Sequence, residues 1–364
     1  MDMSDKKATG GKATGRAGGP LSAIGEFGLI KRLVAELGDA AADVLLPEGD
    51  DAAVWDAQGQ VLATTDAMAE GAHFRTEWTT PEDLGFKAVS VNVSDIAAMG
   101  GEPSLALVAL GLGAGADPGW MQGLYRGMAE ACRLYKMKIG GGDTFSSEKL
   151  IIVLTVLGRP PASGPVTRAG ASQGDLLFVT GRLGEAAAGL SYLKARQLQG
   201  RSKGKTRKSR RGVVETAMAG AVSRFLRPVA RLAEGKAAAG AGVSAMIDIS
   251  DGIAGDALHI ASASGVGVVL RKDLLPLGQG ARTAEGLLGE IPERLALCGG
   301  EDYELLMAVP SESAGRLARA IELTGTPLTH VGRVVSRSQG CVLEDEGSSV
   351  ELESLGGFDH FKAR

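Results

Sequence analysis

Residues 80–118 read TPEDLGFKAVSVNVSDIAAMGGEPSLALVALGLGAGADP. Thr80 is a hydroxyl cap, Pro81 suits the first helical position, and Glu82 and Asp83 favour the positive end of a helix. The pattern predicts a helix to about Met99, stopped by Gly100-Gly101. Ser104–Gly111 is then a nearly unbroken apolar run, which reads as a buried strand. Asp117-Pro118 opens a second helix, and apolar positions 121, 124, 128, 131 and 135 keep helical spacing to about Lys138. Helix, strand and helix in close succession predict a chain of mixed helix and strand content.

The same reading extends in both directions. An amphipathic segment, Glu26–Leu37, opens the folded part, and short strands follow near Ala52–Trp55 and Val61–Thr65. Lys149–Leu157 is β-rich, and Pro160-Pro161-Ala162-Ser163-Gly164-Pro165 reads as a linker. A second mixed half carries strands at 175–180, 243–248, 266–271 and 303–309. Helices are expected at 184–196, up to about 240, at 253–264 and at 311–324, before a β-rich tail. The expected division is a disordered tail over 1–20, an α+β domain over 21–160, a linker over 161–167 and an α+β domain over 168–364. A solvated basic loop is expected at 197–212.

The 364 residues are 44% hydrophobic and 23% charged, enough for about two cores. Gly is abundant, 54 residues, but has no three-residue period, which excludes collagen. The longest apolar run, residues 105–116, is 12 long and holds three Gly, and the N-terminus lacks an apolar core segment. Neither a membrane span nor a signal peptide is expected. Cys132, Cys298 and Cys341 are far apart without a CxxC, which argues against a disulfide scaffold or a thiolate zinc site and suits a reducing cytoplasm. The net charge is −4, unevenly spread: residues 201–211 hold seven basic residues and no acidic one. Without that segment and residues 1–20, 28 basic residues face 41 acidic ones. An acidic body argues against nucleic acid as the main partner and suits the binding of several cations.

Three short matches fail on context. Gly200-x-x-x-Gly204-Lys205-Thr206 is one residue short of a P-loop and follows no apolar strand. Gly111-x-Gly113-x-x-Ala116 lacks an acid at the end of a second strand. Gly170-Ala171-Ser172-Gln173-Gly174 precedes a strand, whereas a nucleophile elbow follows one.

What remains is a placement of carboxylates beside small residues. It comprises Gly49-Asp50-Asp51, Thr64-Thr65-Asp66, Ser94-Asp95, Gly141-Gly142-Asp143, Asp248-Ile249-Ser250-Asp251 and Gly300-Glu301-Asp302, each read as a strand end, turn or helix end. Brought together they would repel unless cations sit between them. Oxygen-only ligands select hard ions, Mg²⁺ above all when phosphates complete the shell. The residues alone therefore point to a multi-Mg²⁺ phosphate site without a P-loop.

In this order, with Gly25–Ile30, Thr64–Phe74, Lys87–Gly100, Thr167–Gly170, Gly299–Glu304 and Gly357–Phe361, the chain resembles the thiamine-monophosphate kinase family. The resemblance implies the two-domain aminoimidazole ribonucleotide synthetase-like (PurM-like) fold, α+β, each half a mixed sheet packed with helices. It implies ATP-dependent phosphorylation of thiamine monophosphate, several Mg²⁺ ions, and a homodimer with the nucleotide near the subunit interface. Carried over by motif, Asp50, Asp51, Thr64, Thr65, Asp66, Asp95, Asp143 and Asp248 would hold Mg²⁺, and Asp251 a further ion. Gly142, Asp143, Arg168 and Ser250 would contact ATP. His73, Glu301 and Phe358 would line the acceptor pocket, and Asp66, Asp143 and Asp251 would serve catalysis. Other members of the fold are the alternatives. Selenophosphate synthetase should carry a reactive Cys near its start and the carbamoyl-dehydrating hydrogenase member a terminal Cys. This chain has no Cys before Cys132 and ends at Arg364. The purine-synthesis type, acting on another small phosphate or amide, remains, as does a nucleic-acid role for the basic loop.

Overall fold

The computed structural model describes residues 29, 32–33, 35–36, 44–46, 54–55, 59–201 and 211–356. The expected tail, most of the basic loop, Asp50, Asp51 and Phe358 lie outside the described residues. A short antiparallel pair, Val44–Leu46 (β1) with Val54–Trp55 (β2), precedes the first half. That half comprises Leu62–Ala69 (β3), Pro81–Ala98 (α1), Glu102–Leu112 (β4), Pro118–Tyr135 (α2), Lys138–Ser146 (β5) and Ile151–Arg159 (β6). The sheet order is β3-β6-β4-β5, with β4 and β5 parallel and the other pairs antiparallel.

Both helix starts form as the sequence predicts. Thr80 Oγ1 accepts the Asp83 N–H at 3.1 Å, and an Asp117 carboxylate oxygen accepts the Gly119 N–H at 3.0 Å. The two helices pack together so closely that a Cβ on Gly85 would lie 1.9 Å from the Leu124 carbonyl oxygen. The end of α2 departs from expectation. The helix stops at Tyr135, because Lys136 turns left-handed at φ 56° and closes the last turn. Lys138–Ser146 then runs as a strand, so Gly141-Gly142-Asp143 lies within β5 rather than at a turn. Thr64-Thr65-Asp66 likewise lies inside β3, and Asp95 inside α1.

The second half contains Leu176–Thr180 (β7), Glu185–Arg201 (α3), Arg211–Leu226 (α4), Leu232–Ala241 (α5), Ala245–Asp248 (β8) and Ile253–Ser264 (α6). It continues with Gly267–Arg271 (β9), Gln279–Leu288 (α7), Pro292–Cys298 (α8), Leu305–Val309 (β10), Ala314–Glu322 (α9), Leu328–Val335 (β11), Cys341–Asp345 (β12), Ser348–Glu351 (β13) and Leu352–Leu355 (α10). Seven strands form one sheet in the order β13-β12-β9-β11-β7-β10-β8, antiparallel except between β9 and β12. Helix α3 runs on through the start of the expected loop, and α7 and α8 are additional to the expected elements. Strand β10 begins at Leu305 rather than 303, since Glu301 and Tyr303 are left-handed.

Each half has its own core. Leu84, Ile96, Leu124, Met128 and Leu154 fill the first, and Leu177, Ile247, Ile260 and Leu306 the second. Helix α1 joins them: it packs on the first sheet and sends Ser94 to Asp248 and Lys87 to Glu301 in the second half. Cys132, Cys298 and Cys341 are free thiols. Among the described residues no helix is long and apolar enough to cross a membrane.

Candidate active site

A cavity of about 660 Å³ lies between α1, α3, α4, the 71–78 turn and the end of β8. One pole is acidic. Asp66 sits at mid-β3 with its N–H donated to Asn92 Oδ1 at 3.1 Å. Strand alternation puts Thr64 on the same face, and its hydroxyl donates to Asp95 at 2.5 Å. Asp248, the last residue of β8 and 4% exposed, accepts the Ser94 hydroxyl at 2.7 Å. Three elements thus bring Asp66, Asp95 and Asp248 to one place.

Their electrostatics follow. Burial, then repulsion from Asp95, lifts Asp66 to about 6. Burial, then Asp95, lifts Asp248 to about 7, while the Ser94 hydrogen bond and Arg168 oppose the rise. Burial also raises Asp95, against the pull of Thr64 and Arg168. Arg168 is held beside this pole by its own backbone: its carbonyl accepts the Ser264 hydroxyl, and the Thr167 carbonyl accepts the Met246 N–H. Three carboxylates that resist ionisation together, with oxygen donors alone, form a set suited to hard divalent cations.

Ser250 and Asp251 follow Asp248 into the cavity wall. The Asp251 N–H donates to Asp256, a carboxylate 1% exposed and raised well above its usual value by burial and by Asp248 and Asp251. Asp251, Asp256 and His259 lie close enough to share one ion.

The other pole is built by the 71–78 turn, α4 and the 299–303 turn. His73 Nδ1 accepts the Ala69 N–H at 3.0 Å, which leaves the ring proton on Nε2 as a donor. Trp78 and Phe225 supply aromatic walls, and Arg75 lies 5.4 Å from the Trp78 ring centre. Glu301 meets the Lys87 ammonium at 3.0 Å. Gly300 lets this turn close, since a Cβ there would sit 2.4 Å from the Ser250 carbonyl oxygen.

Not every expected site residue gathers here. Thr65 and Asp143 occupy the opposite face of the first sheet. Thr65 pairs with Thr155, Thr155 with Leu107, and Asp143 with Ala109, which puts them all on that open face. Gly142 is in β5 beside Asp143, where a Cβ would lie 2.0 Å from the Val108 carbonyl oxygen. Conversely, Lys87, Trp78, Phe225 and Tyr303 line the cavity without having been singled out in the sequence. Lys87 carried one available signal: Lys87, Val91 and Asp95 stand at i, i+4 and i+8, one stripe of α1.

Residues 49–159 match the N-terminal domain model of the AIR synthase related proteins, and residues 172–343 the C-terminal one. The chain is 35% identical over 341 residues to the thiamine-monophosphate kinase of Escherichia coli O157:H7, covering 93% of this chain and 99% of that one. The chain belongs to the thiamine-monophosphate kinase family. Within that family, the crystal structure of the Stenotrophomonas maltophilia K279a kinase superposes with a TM-score of 0.74 at 31% identity, over 89% of this chain and 98% of that one. AaThiL complexed with AMPPCP and TMP gives 0.68 at 33% identity, over 93% and 98%. Membership accounts for the two mixed sheets packed with helices that flank the cavity.

Proposed function

We propose that this chain transfers the γ-phosphoryl group of ATP to thiamine monophosphate, giving thiamine diphosphate and ADP. The observation that carries the reading is the division of one cavity into a carboxylate pole and an aromatic pole, in a chain of this family. Two phosphate groups must meet in this reaction, and their repulsion is the main obstacle. Asp66, Asp95 and Asp248 fit Mg²⁺, with Thr64 orienting Asp95 and with Asp251 and Asp256 at hand for a further ion. Mg²⁺ bound there supplies neutralisation of the charge on both phosphates. Arg168 and Ser250 flank that pole and suit the oxygens of the nucleotide. His73, with its Nε2 proton, Glu301 and the Trp78 and Phe225 rings suit the organic part of the acceptor.

The acceptor phosphate has its second pKa near about 6, so it is largely ionised at neutral pH and attacks the γ-phosphorus in line without a strong general base. ADP leaves as the new P–O bond forms, and no phosphoenzyme intervenes. The chemistry belongs in the cytoplasm, where the three thiols stay reduced.

We also assign a homodimer through the open face of the first sheet. That face is largely apolar, with Leu107 39% and Phe145 43% exposed. Asp143 and Gly142 lie on the same strand edge, which suits a nucleotide bound near the subunit contact. Leu107→Glu is expected to leave one copy in solution where the native chain gives two, read by light scattering. A variant that stays dimeric removes this face from the interface.

The activity is tested in a coupled assay with ATP, Mg²⁺ and thiamine monophosphate, with thiamine and an aminoimidazole ribonucleotide precursor as controls. Thiamine diphosphate formed from thiamine monophosphate alone is the expected result. A folded chain that binds ATP but makes no product would overturn the acceptor and keep the fold.

A further inference from the structure

Among the described residues lining the cavity, Lys87 is the buried cation. Arg75 and Lys194 also line it but are exposed, whereas Lys87 is 3% exposed. Among the described residues its ammonium meets Glu301 Oε2 at 3.0 Å and the face of the Phe225 ring, 3.9 Å from the ring centre. A charge so buried is retained only when paired. Lys87 also sits at one end of the α1 stripe whose other end is Asp95, about 12 Å away along the axis at 1.5 Å per residue. The same rigid element therefore fixes a group at each pole.

Glu301 is placed unusually. Its backbone is left-handed at φ 62°, and its N–H donates to the Ser250 carbonyl at 2.7 Å. The neighbouring Asp302 points away, its carboxylate accepting the Gly184 N–H at 2.7 Å and the Ala186 N–H at 3.4 Å at the start of α3. Of the two carboxylates the turn thus aims Glu301 at the cavity, where its side chain is 30% exposed and, among the described residues, anchored by Lys87. With Oε2 taken by the ammonium, Oε1 is the oxygen left to accept. A carboxylate oxygen accepts hydrogen bonds, so it recognises a donor.

We infer that Lys87 is a positioning residue for acceptor recognition: it holds Glu301 in place with a carboxylate oxygen turned to the cavity, so the cavity selects an acceptor whose organic part presents an N–H donor. This rests on the assignment of Glu301 to the acceptor pole. Lys87 acts through Glu301, and its removal weakens acceptor binding without touching the nucleotide.

The test is steady-state kinetics on the full chain with thiamine monophosphate and ATP varied separately. Lys87→Met is expected to raise the acceptor KM about tenfold or more, the scale of one charged hydrogen bond, with the ATP KM within about twofold. In a Glu301→Gln background the same change should add less than about twofold, since the two act as a unit. Lys87→Arg, which keeps the charge, should restore most of the binding. If the Met variant does not fold, Lys87→Gln takes its place in the cycle. An unchanged acceptor KM in a folded variant, or additive effects in the double variant, overturns the inference while leaving the kinase reading intact. No turnover of thiamine monophosphate by the native chain overturns both.

Discussion

Asp66→Asn lowers turnover by roughly 10²–10³-fold, the cost of losing a main charge-stabilising contact at a phosphoryl-transfer site. The change is nearly isosteric and keeps the backbone hydrogen bond from Asp66 to Asn92, so the fold survives. The metal-free protein gives a second readout with a definite sign. Asp66 is held at about 6, above its ordinary 3.8, by burial and by Asp95. A group whose folded pKa is raised binds its proton more tightly in the folded chain. Its contribution is whole below about pH 4 and is lost as the pH rises through about 6. Asn has no such loss. In chelator, the variant should therefore melt above the native chain at pH 8, and the gap should close towards pH 4. Near-native turnover at limiting Mg²⁺ would take Asp66 out of the metal site, whatever the melting curves show.

Arg231→Leu costs about 3–5 kcal/mol of stability, the usual penalty for breaking a buried ion pair from one side. Glu304 is fully buried, and Arg231 grips it with two hydrogen bonds, 2.6 Å to Oε2 and 2.5 Å to Oε1. Thr180 donates to the same carboxylate at 2.8 Å and Arg224 at 3.1 Å. Without Arg231 the charge keeps one guanidinium, Arg224, whose side chain is 35% exposed. At about 2–4 °C per kcal/mol for a domain of this size, the melting midpoint should fall by about 6–20 °C. Arg224→Leu should cost clearly less, because the bidentate partner remains. Equal midpoints for the two variants would show that Arg231 holds the carboxylate no more strongly than Arg224 does.

The helix starts and the mix of helix and strand were legible because each rests on local chemistry, whereas the two sheets followed only from the family resemblance. Thr80-Pro81 and Asp117-Pro118 specify their own turns, and the apolar runs specify β4 and β6. Strand β5 was not, since Gly140-Gly141-Gly142 has poor strand propensity. Only the closeness of the Val108 carbonyl, a contact across the sheet, requires hydrogen at Gly142. Motif reading gathered the acidic residues by type but could not tell faces apart. Thr64 and Thr65 differ by one residue, and the pleat sends them to opposite sides of the sheet. Lys87 looked like any charge on a helix until Glu301, 214 positions on, closed over it. The Glu304 network was invisible for the same reason, as its partners come from 73 to 124 residues away.

Helix α1 carries Asn92, which meets the Asp66 N–H, Ser94, which meets Asp248, and Lys87 and Asp95 at the two poles. One inserted or deleted residue in it would swing everything downstream by about 100° and move it 1.5 Å along the axis. Asp95 and Lys87 could then no longer face the same cavity. The helix is in effect a ruler whose length cannot drift. Descendants of this scaffold can change their acceptor by exchanging side chains at the Lys87 end, but insertions must fall in the connecting loops.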